Sequence, residues 1–151
     1  MDILLSLGSQ KMPELIYSKQ EPEVLLLAIN RSDEISEKRT DICPENEYLQ
    51  ICTKVMEKGT YFKPHKHNNI SRTTDITQEA WIILQGSVDA SFWDLDDTII
   101  CETTLKAGDC AVVFKAGHSF EVIEKDTILY EVKTGPYYGV EKDKTFIEER
   151  K

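Results

Sequence analysis

The sequence predicts an all-β chain folded as a sandwich or barrel, and two observations lead to this prediction. No long stretch places its apolar residues at the 3.6-residue period of a helix. Short apolar or alternating runs recur instead, and residues that favour turns separate them. A length of 151 residues with a hydrophobic fraction of 40% suits one folded domain with a real core. We expect an irregular arm over residues 1–20 and a single domain over residues 21–151.

The first half of the chain supplies three candidate strands among longer polar stretches. Residues 1–20 predict the arm, with one helical turn near Pro13. Residues 31–47 and 68–78 are charged or polar and predict loops. A continuous apolar run and two runs on either side of the turn at Gly59 predict the strands. These strands cover residues 24–29, 48–56 and 61–67.

The second half predicts a denser series of strands joined by short turns. The acidic stretch 94–97 also matches a phosphotransferase motif, but a strand returns directly after it, so a hairpin turn is the better interpretation. We expect the last two strands to pair as a hairpin around residues 124–126. The predicted strands cover residues 79–84, 88–93, 98–105, 110–114, 118–123 and 127–132.

Charge and composition limit the partners and the compartment. A formal charge of −9 argues against nucleic acid or an anionic membrane as the main partner. No run approaches the ~20 apolar residues of a membrane span, and the start of the chain lacks the features of a secretion signal. The four cysteines form no Cys-x-x-Cys pair and predict reduced thiols. We therefore expect a cytoplasmic homodimer in which the apolar run 24–29 pairs with a second copy.

Three histidines and one glutamate form the most informative pattern in the sequence. His65 and His67 stand two apart in a predicted strand, so both side chains point to one face. Glu79 and His118 each open a later strand. Three imidazoles and a carboxylate suit a divalent transition metal, with a position left for water or substrate. These ligand types do not choose among iron, manganese, nickel, cobalt, copper and zinc.

The spacing of these residues resembles the two motifs of the cupin superfamily. The first motif runs from Gly59 to Gly86 and the second from Gly108 to His118. The resemblance implies a cupin double-stranded β-helix, a small barrel of the jelly-roll type. It also implies that the metal ligands are His65, His67, Glu79 and His118.

The chain departs from the general cupin pattern in both motifs. Residues 68–78 are an insertion at the expected mouth of the pocket, and the usual proline of the second motif is absent. His118 comes one residue early when counted from Gly108, but counting back from Tyr130 gives a normal hairpin length. We therefore place a deletion before His118 and keep it as a ligand; in the other register Ser119 or Phe120 would face the centre.

A narrower likeness covers about residues 48–145. It is similar to small cupins related to the WbuC type, which tend to accompany bacterial surface-polysaccharide and sugar-nucleotide biosynthesis. This likeness implies a carbohydrate as the small-molecule partner and indicates a pathway more than a reaction. The stretches that carry it are residues 63–67, 78–81, 117–121 and 130–137.

Residues that share a strand face with the predicted ligands are further candidates for the site. Tyr61 and Lys63 fall on the face of the histidine pair and are candidates to move a proton. Trp81 falls on the face of Glu79. Its aromatic ring either contacts substrate or fills the core.

Three other residues are candidates for substrate binding. Phe120 falls on the face of His118, and it too either contacts substrate or fills the core. Arg72 lies in the inserted loop and Gln78 at its end, where their side chains either reach substrate or stay solvated.

Three functions compete for such a site. The first is isomerisation or epimerisation of a sugar or nucleotide-linked sugar, with the metal polarising a carbonyl. The second is an iron-dependent dioxygenase, since three histidines and a glutamate leave open positions for oxygen. The third is a non-catalytic sugar-binding or regulatory protein.

Overall fold

The structure, a computed structural model, describes residues 12–148. In these residues it contains ten strands, a 3-10 turn at Ser32–Glu34 and one single-turn helix. In chain order the elements are β1 (Glu14–Tyr17), β2 (Leu25–Asn30), β3 (Thr40–Asp41), β4 (Cys52–Thr53), β5 (Glu79–Gln85), β6 (Ser87–Trp93), β7 (Ile99–Lys106), β8 (Cys110–Val113), β9 (Gly117–Val122), β10 (Ile128–Lys133) and α1 (Val140–Asp143).

The strands form two main antiparallel sheets that share a core. One sheet has the order β1-β2-β8-β5-β10, the other has the order β7-β6-β9, and β3 and β4 form a separate pair. The prediction of an all-β fold is confirmed. Within residues 12–148 the sheets do not close into a barrel, because β9 and β10 each end a sheet. This open side, between the edges of β9 and β10, is where the candidate site lies.

Alternation along β5 divides the core in two. Trp81 and Ile83 point toward the three-stranded sheet, where Trp81 stacks on Phe92 with ring centroids 6.0 Å apart. Ala80 and Ile82 point the other way, into a second cluster. Both faces of β5 are therefore buried over most of its length, which fixes its register and the placement of Glu79 at its start.

Residues 42–51 pack over the second cluster without forming a strand. Ile42 and Leu49 pack on that face of the larger sheet. Gln78 anchors this segment, since its Oε1 accepts from the backbone N–H of Leu49 at 2.9 Å and its Nε2 donates to Glu47 at 2.6 Å. The predicted strand over residues 48–56 is therefore wrong in extent, and only Cys52–Thr53 is a strand.

The turn between β5 and β6 requires glycine. Gly86 has a φ of +74°, a conformation that favours glycine. A Cβ added there would lie 2.3 Å from Oγ1 of Thr127, so a side chain would collide with the turn before β10. The turn brings the edge strand β10 close to the end of β5, and the two strands pair along their length.

The structure confirms most predicted strands to within about a residue at each end, and it confirms the acidic hairpin turn before β7. The cysteines at 52, 101 and 110 lie in strands and are free, as predicted. The predicted pairing of the last two strands is wrong. β9 pairs with β6 and β10 pairs with β5, because each completes a different sheet.

The predicted arm is partly wrong. Residues 1–11 lie outside the described residues, but Glu14–Tyr17 is a strand paired with β2, not a helical turn. Pro13 precedes this strand, a position where its missing N–H costs nothing. Buried Asp94 fixes the chain after the strand, since it accepts from Oγ of Ser18 at 2.5 Å and from the backbone N–H of Lys19 at 2.7 Å.

Strand β2 cannot pair with a second copy as predicted. It lies inside the larger sheet with β1 on one side and β8 on the other, so both of its edges are used. The exposed edges of the two sheets are elsewhere, at β10 and β9 among others. Any dimer must therefore use another surface.

Candidate functional site

A cleft of about 740 Å³ opens between the edges of the two sheets. Its lining includes four of the residues singled out from sequence: Glu79, Trp81, His118 and Phe120. Residues 143–147, which begin at the last residue of α1, form another wall. The volume is in the range of small-molecule sites.

Glu79 lies at the buried end of this cleft. It is the first residue of β5 and only 4% of it is exposed. Its Oε1 accepts a hydrogen bond from the indole Nε1–H of Trp81 at 2.7 Å. The same oxygen lies 3.6 Å from Nε2 of His118. A buried carboxylate therefore has one fixed donor and one imidazole beside it.

His118 enters the cleft from β9 with a defined orientation. Its Nδ1 lies 3.2 Å from the backbone carbonyl of Ala116, so Nδ1 carries the proton that this contact needs. Nε2 is then the atom that faces Glu79 and can take or give a proton. The ring meets Trp81 edge-on at 5.3 Å, which further limits its rotation. The ring therefore faces the cleft, on the same side of β9 as Phe120.

Two charged residues of β10 join the site and were missed from sequence. Lys133 pairs with Glu79 in the strand register and Glu131 pairs with Trp81. Nζ of Lys133 lies 3.0 Å from Oε1 of Glu131 and 4.0 Å from Oε2 of Glu79. The signal was available, because alternation puts both on the same face as Leu129, which packs on the core.

Lys133 favours the ionised form of Glu131. Its hydrogen bond is the main reason that the pKa of Glu131 lies below its ordinary value, while burial acts in the opposite direction. The pKa of Lys133 is correspondingly raised by the same hydrogen bond. Lys133 also stands over the ring of Tyr137 at 5.2 Å. The cleft thus holds a carboxylate, Glu131, that is ionised and accessible, next to a buried one, Glu79.

Aromatic side chains form the apolar part of the cleft. Trp81 is 2% exposed and serves as its floor, with Phe120 edge-on to it at a centroid distance of 4.8 Å. Phe120 is 37% exposed and offers a free surface to a ligand. Trp81 therefore fills the core as well as lining the site, and Phe120 is the better placed of the two for contact.

The histidine pair lies outside this cleft. Residues 54–76 are all exposed and lie in neither strand nor helix, so the predicted strand 61–67 is wrong. Nδ1 of His65 lies 2.9 Å from the carbonyl of Lys63, and the His65 and His67 rings are 5.5 Å apart. Tyr61 and Lys63 share this exposed segment and do not line the cleft.

The two candidates from the inserted loop also lie apart from the cleft. Arg72 is exposed, and its guanidinium contacts the carbonyl of Ile70 at 3.5 Å. Gln78 is 2% exposed, but Leu49 and Glu47 engage its amide group. In this arrangement Gln78 is a structural anchor.

The donors do not make up a metal centre in this arrangement. Within residues 12–148 no group of three or more His, Cys, Asp or Glu side chains is placed to hold a metal ion. Glu79 and His118 are two of the four predicted ligands and lie together. Nε2 of His118 suits a metal, because a carbonyl holds its other nitrogen. The other two donors are on the exposed segment.

Comparisons with protein-family models, with curated proteins and with solved structures found no match for this chain. Among residues 12–148, no helix has the length and apolar character needed to cross a bilayer.

Proposed function

We propose that the cleft binds a small carbohydrate-type molecule and moves a proton on it, in an isomerase or epimerase type of reaction. The observation that carries this proposal is the convergence of Glu79, His118 and Glu131 beside an exposed aromatic surface. A carboxylate pair and an imidazole in one pocket, with Lys133 beside both carboxylates, provide both a base and an acid. The likeness to WbuC-type cupins supports a sugar as the ligand.

The exposure of each group suggests its role. The Glu131 side chain is 40% exposed and bears an ionised carboxylate, so it is placed to accept a proton from a ligand. His118, at 27%, is reachable and can return a proton through Nε2. Glu79, at 5%, is too deeply buried to reach far into the cleft and instead orients His118. This assignment replaces Tyr61 and Lys63, which lie on the exposed segment.

Exchange of substrate hydrogen with solvent tests the proposal. The protein is incubated in deuterated water with a panel of neutral hexoses, ketoses, hexose phosphates and nucleoside-diphosphate hexoses, and each is examined by NMR and mass spectrometry. We expect deuterium at a carbon next to a carbonyl in one class. Glu131→Gln should slow this exchange by roughly 10²-fold or more, because it removes the base.

The matched control is Glu121→Gln, which removes an exposed carboxylate on β9 that does not line the cleft. Its exchange rate should equal that of the wild type. Absence of deuterium from every compound, while a sugar still binds in the cleft, would contradict the proton-transfer reaction and leave the dioxygenase and the non-catalytic function.

Metal binding by His65, His67, Glu79 and His118 is a second proposal, and it requires the histidine pair to move. Eleven residues separate His67 from Glu79, and the twelve Cα–Cα steps between them span roughly 40 Å when extended, so chain length does not prevent the approach. The placement of Glu79 beside Nε2 of His118 supports half of this site.

The metal content of protein purified without added metal tests this second proposal. We expect about one divalent ion per chain in the wild type and its loss in both His65→Ala and His118→Ala. Lys66→Ala, on the same exposed segment, is the matched control and should keep the ion. Equal metal content in wild type and His65→Ala would remove the histidine pair from the site.

A further inference from the structure

The carboxyl-terminal segment forms a wall of the cleft that is weakly attached to the rest of the molecule. We call residues 140–148 the strap. Five consecutive strap residues, 143–147, line the cleft opposite the side chains of β5 and β9. In the part of the chain that the structure describes, the backbone hydrogen bonds of the strap lead only to Gly139 and Val140. The strap therefore belongs to neither sheet.

A hydrogen bond and an apolar contact join the strap to the rest of the cleft. The charges of Asp143 and Lys144 also interact with charged residues of β10. Oγ1 of Thr77 donates to Oδ1 of Asp143 at 2.5 Å, just before the start of β5. Ile147 packs on Gly117, next to His118. A Cβ added at Gly117 would lie 2.4 Å from Cδ1 of Ile147, so any larger residue there would push the Ile147 side chain away. One hydrogen bond and one close apolar contact are a small attachment for a wall of a binding site.

The chain before and within the strap has the features of a hinged cover. Gly139 has a φ of +99°, and no atom lies within 4 Å of the position of an added Cβ, so the backbone can turn there without a collision. Phe146 is 82% exposed although the residues on both sides of it line the cleft. A large apolar side chain in this position is available to cover a ligand.

We propose that the strap is a lid that opens to admit a ligand and closes over it, with the Thr77–Asp143 hydrogen bond as its latch and Phe146 as its cover. The inference deepens the proposed function, because a lid serves a cleft that takes a ligand. Its opening can still be measured without any ligand.

Release of the latch is the test, and both tryptophans of the chain report on it. Trp81 and Trp93 are the two tryptophans of the chain, and both line the cleft. We compare Thr77→Val with wild type by acrylamide quenching of tryptophan fluorescence and by hydrogen exchange of the strap amides. Loss of one hydrogen bond to a carboxylate should raise the open population, and with it the strap exchange rate, at least about tenfold.

Thr104→Val is the matched control. It removes a hydrogen bond from the same type of donor to the same type of acceptor, Thr104 to Asp89 at 2.6 Å on the three-stranded sheet. Asp143→Ala should reproduce Thr77→Val, whereas Asp143→Asn keeps an acceptor and should stay near wild type. Equal quenching and exchange in Thr77→Val, Asp143→Ala and Thr104→Val would overturn the lid. This result would leave the proposed proton transfer untouched, since that is measured on the substrate.

Discussion

Replacing Trp81 with alanine is expected to lower the free energy of unfolding by about 3–5 kcal/mol, the range for deleting a large buried aromatic side chain. The ring lies between the two sheets, where it stacks on Phe92 and meets Phe120 and His118 edge-on. The substitution leaves a cavity at the point where the core meets the cleft, so it should also abolish ligand binding. Urea unfolding measures the change.

The milder Trp81→Phe separates packing from hydrogen bonding at the same position. It keeps an aromatic ring but removes the donor to Glu79. We expect a loss of about 1–3 kcal/mol, since a buried carboxylate loses a partner. Trp93→Phe serves as a control, because Trp93 is only half-buried. If Trp81→Ala cost less than 1 kcal/mol, the sheets would not meet through this side chain.

Asp109→Ala is the other change with a large expected effect, about 3–5 kcal/mol, because it removes the buried partner of Arg31 and the acceptor of two backbone N–H groups. Asp109 is fully buried in the turn before β8. Its carboxylate accepts from the backbone N–H groups of Ser32 at 2.8 Å and Lys106 at 3.1 Å, and from Arg31 at 3.3 Å. The turn joins β7 of one sheet to β8 of the other, so removing the Asp109 side chain should destabilise both sheets.

The same carboxylate makes stability depend on pH. Burial acts to raise the pKa of Asp109, but the hydrogen bonds from Ser32, Lys106 and Arg31 outweigh it and hold the pKa below its ordinary value. A carboxylate with a lowered folded pKa contributes stability that is complete above the unfolded value of about 4. This contribution is lost as the pH falls from there through the folded value.

Unfolding of wild type and Asp109→Asn between pH 7 and pH 2 checks this dependence. The wild type should lose stability below about pH 4 more steeply than the variant, which has no charge to lose. Asp41→Ala removes the exposed partner of Arg39 and should change stability little. Parallel pH curves for wild type and Asp109→Asn would show that the hydrogen bonds to Asp109 do not depend on its charge.

The strands with regular alternation could be predicted from sequence, and the exposed histidine segment could not. In β6 the apolar residues Val88, Ala90 and Phe92 share one buried face, and a shift by one residue would expose them. In β5 a continuous apolar run is buried on both faces. Residues 61–67 lack this alternation, because Tyr61 and Phe62 are adjacent and are the only large apolar side chains. Pro64 also removes a donor from the middle of the run. The metal-type spacing of the two histidines led to the prediction of a strand over residues 61–67. The structure has no strand there because these residues have too few apolar side chains to pack on the core.

The cleft was predicted in part for a similar reason. Glu79 and His118 were singled out by their metal-type spacing, each at the start of a predicted strand, and the structure brings them together. Glu131 and Lys133 escaped notice because their strand was assigned to a hairpin with β9. Only the register of β10 against β5 shows that Lys133 lies opposite Glu79. The local sequence pattern does not reveal which distant strands pair.

The indole NMR signals test the central claim, that the cleft around Glu79, His118 and Glu131 is the ligand site, most directly. The chain has two tryptophans, so an ¹H–¹⁵N spectrum holds two indole peaks, and the Trp81 peak belongs to the donor of Glu79. Titration with the same panel of hexoses and their phosphates should move the Trp81 peak for any compound that binds, and Glu131→Gln should weaken that binding at least about tenfold. A compound that binds wild type and Glu131→Gln equally and leaves both indole peaks in place would contradict the account.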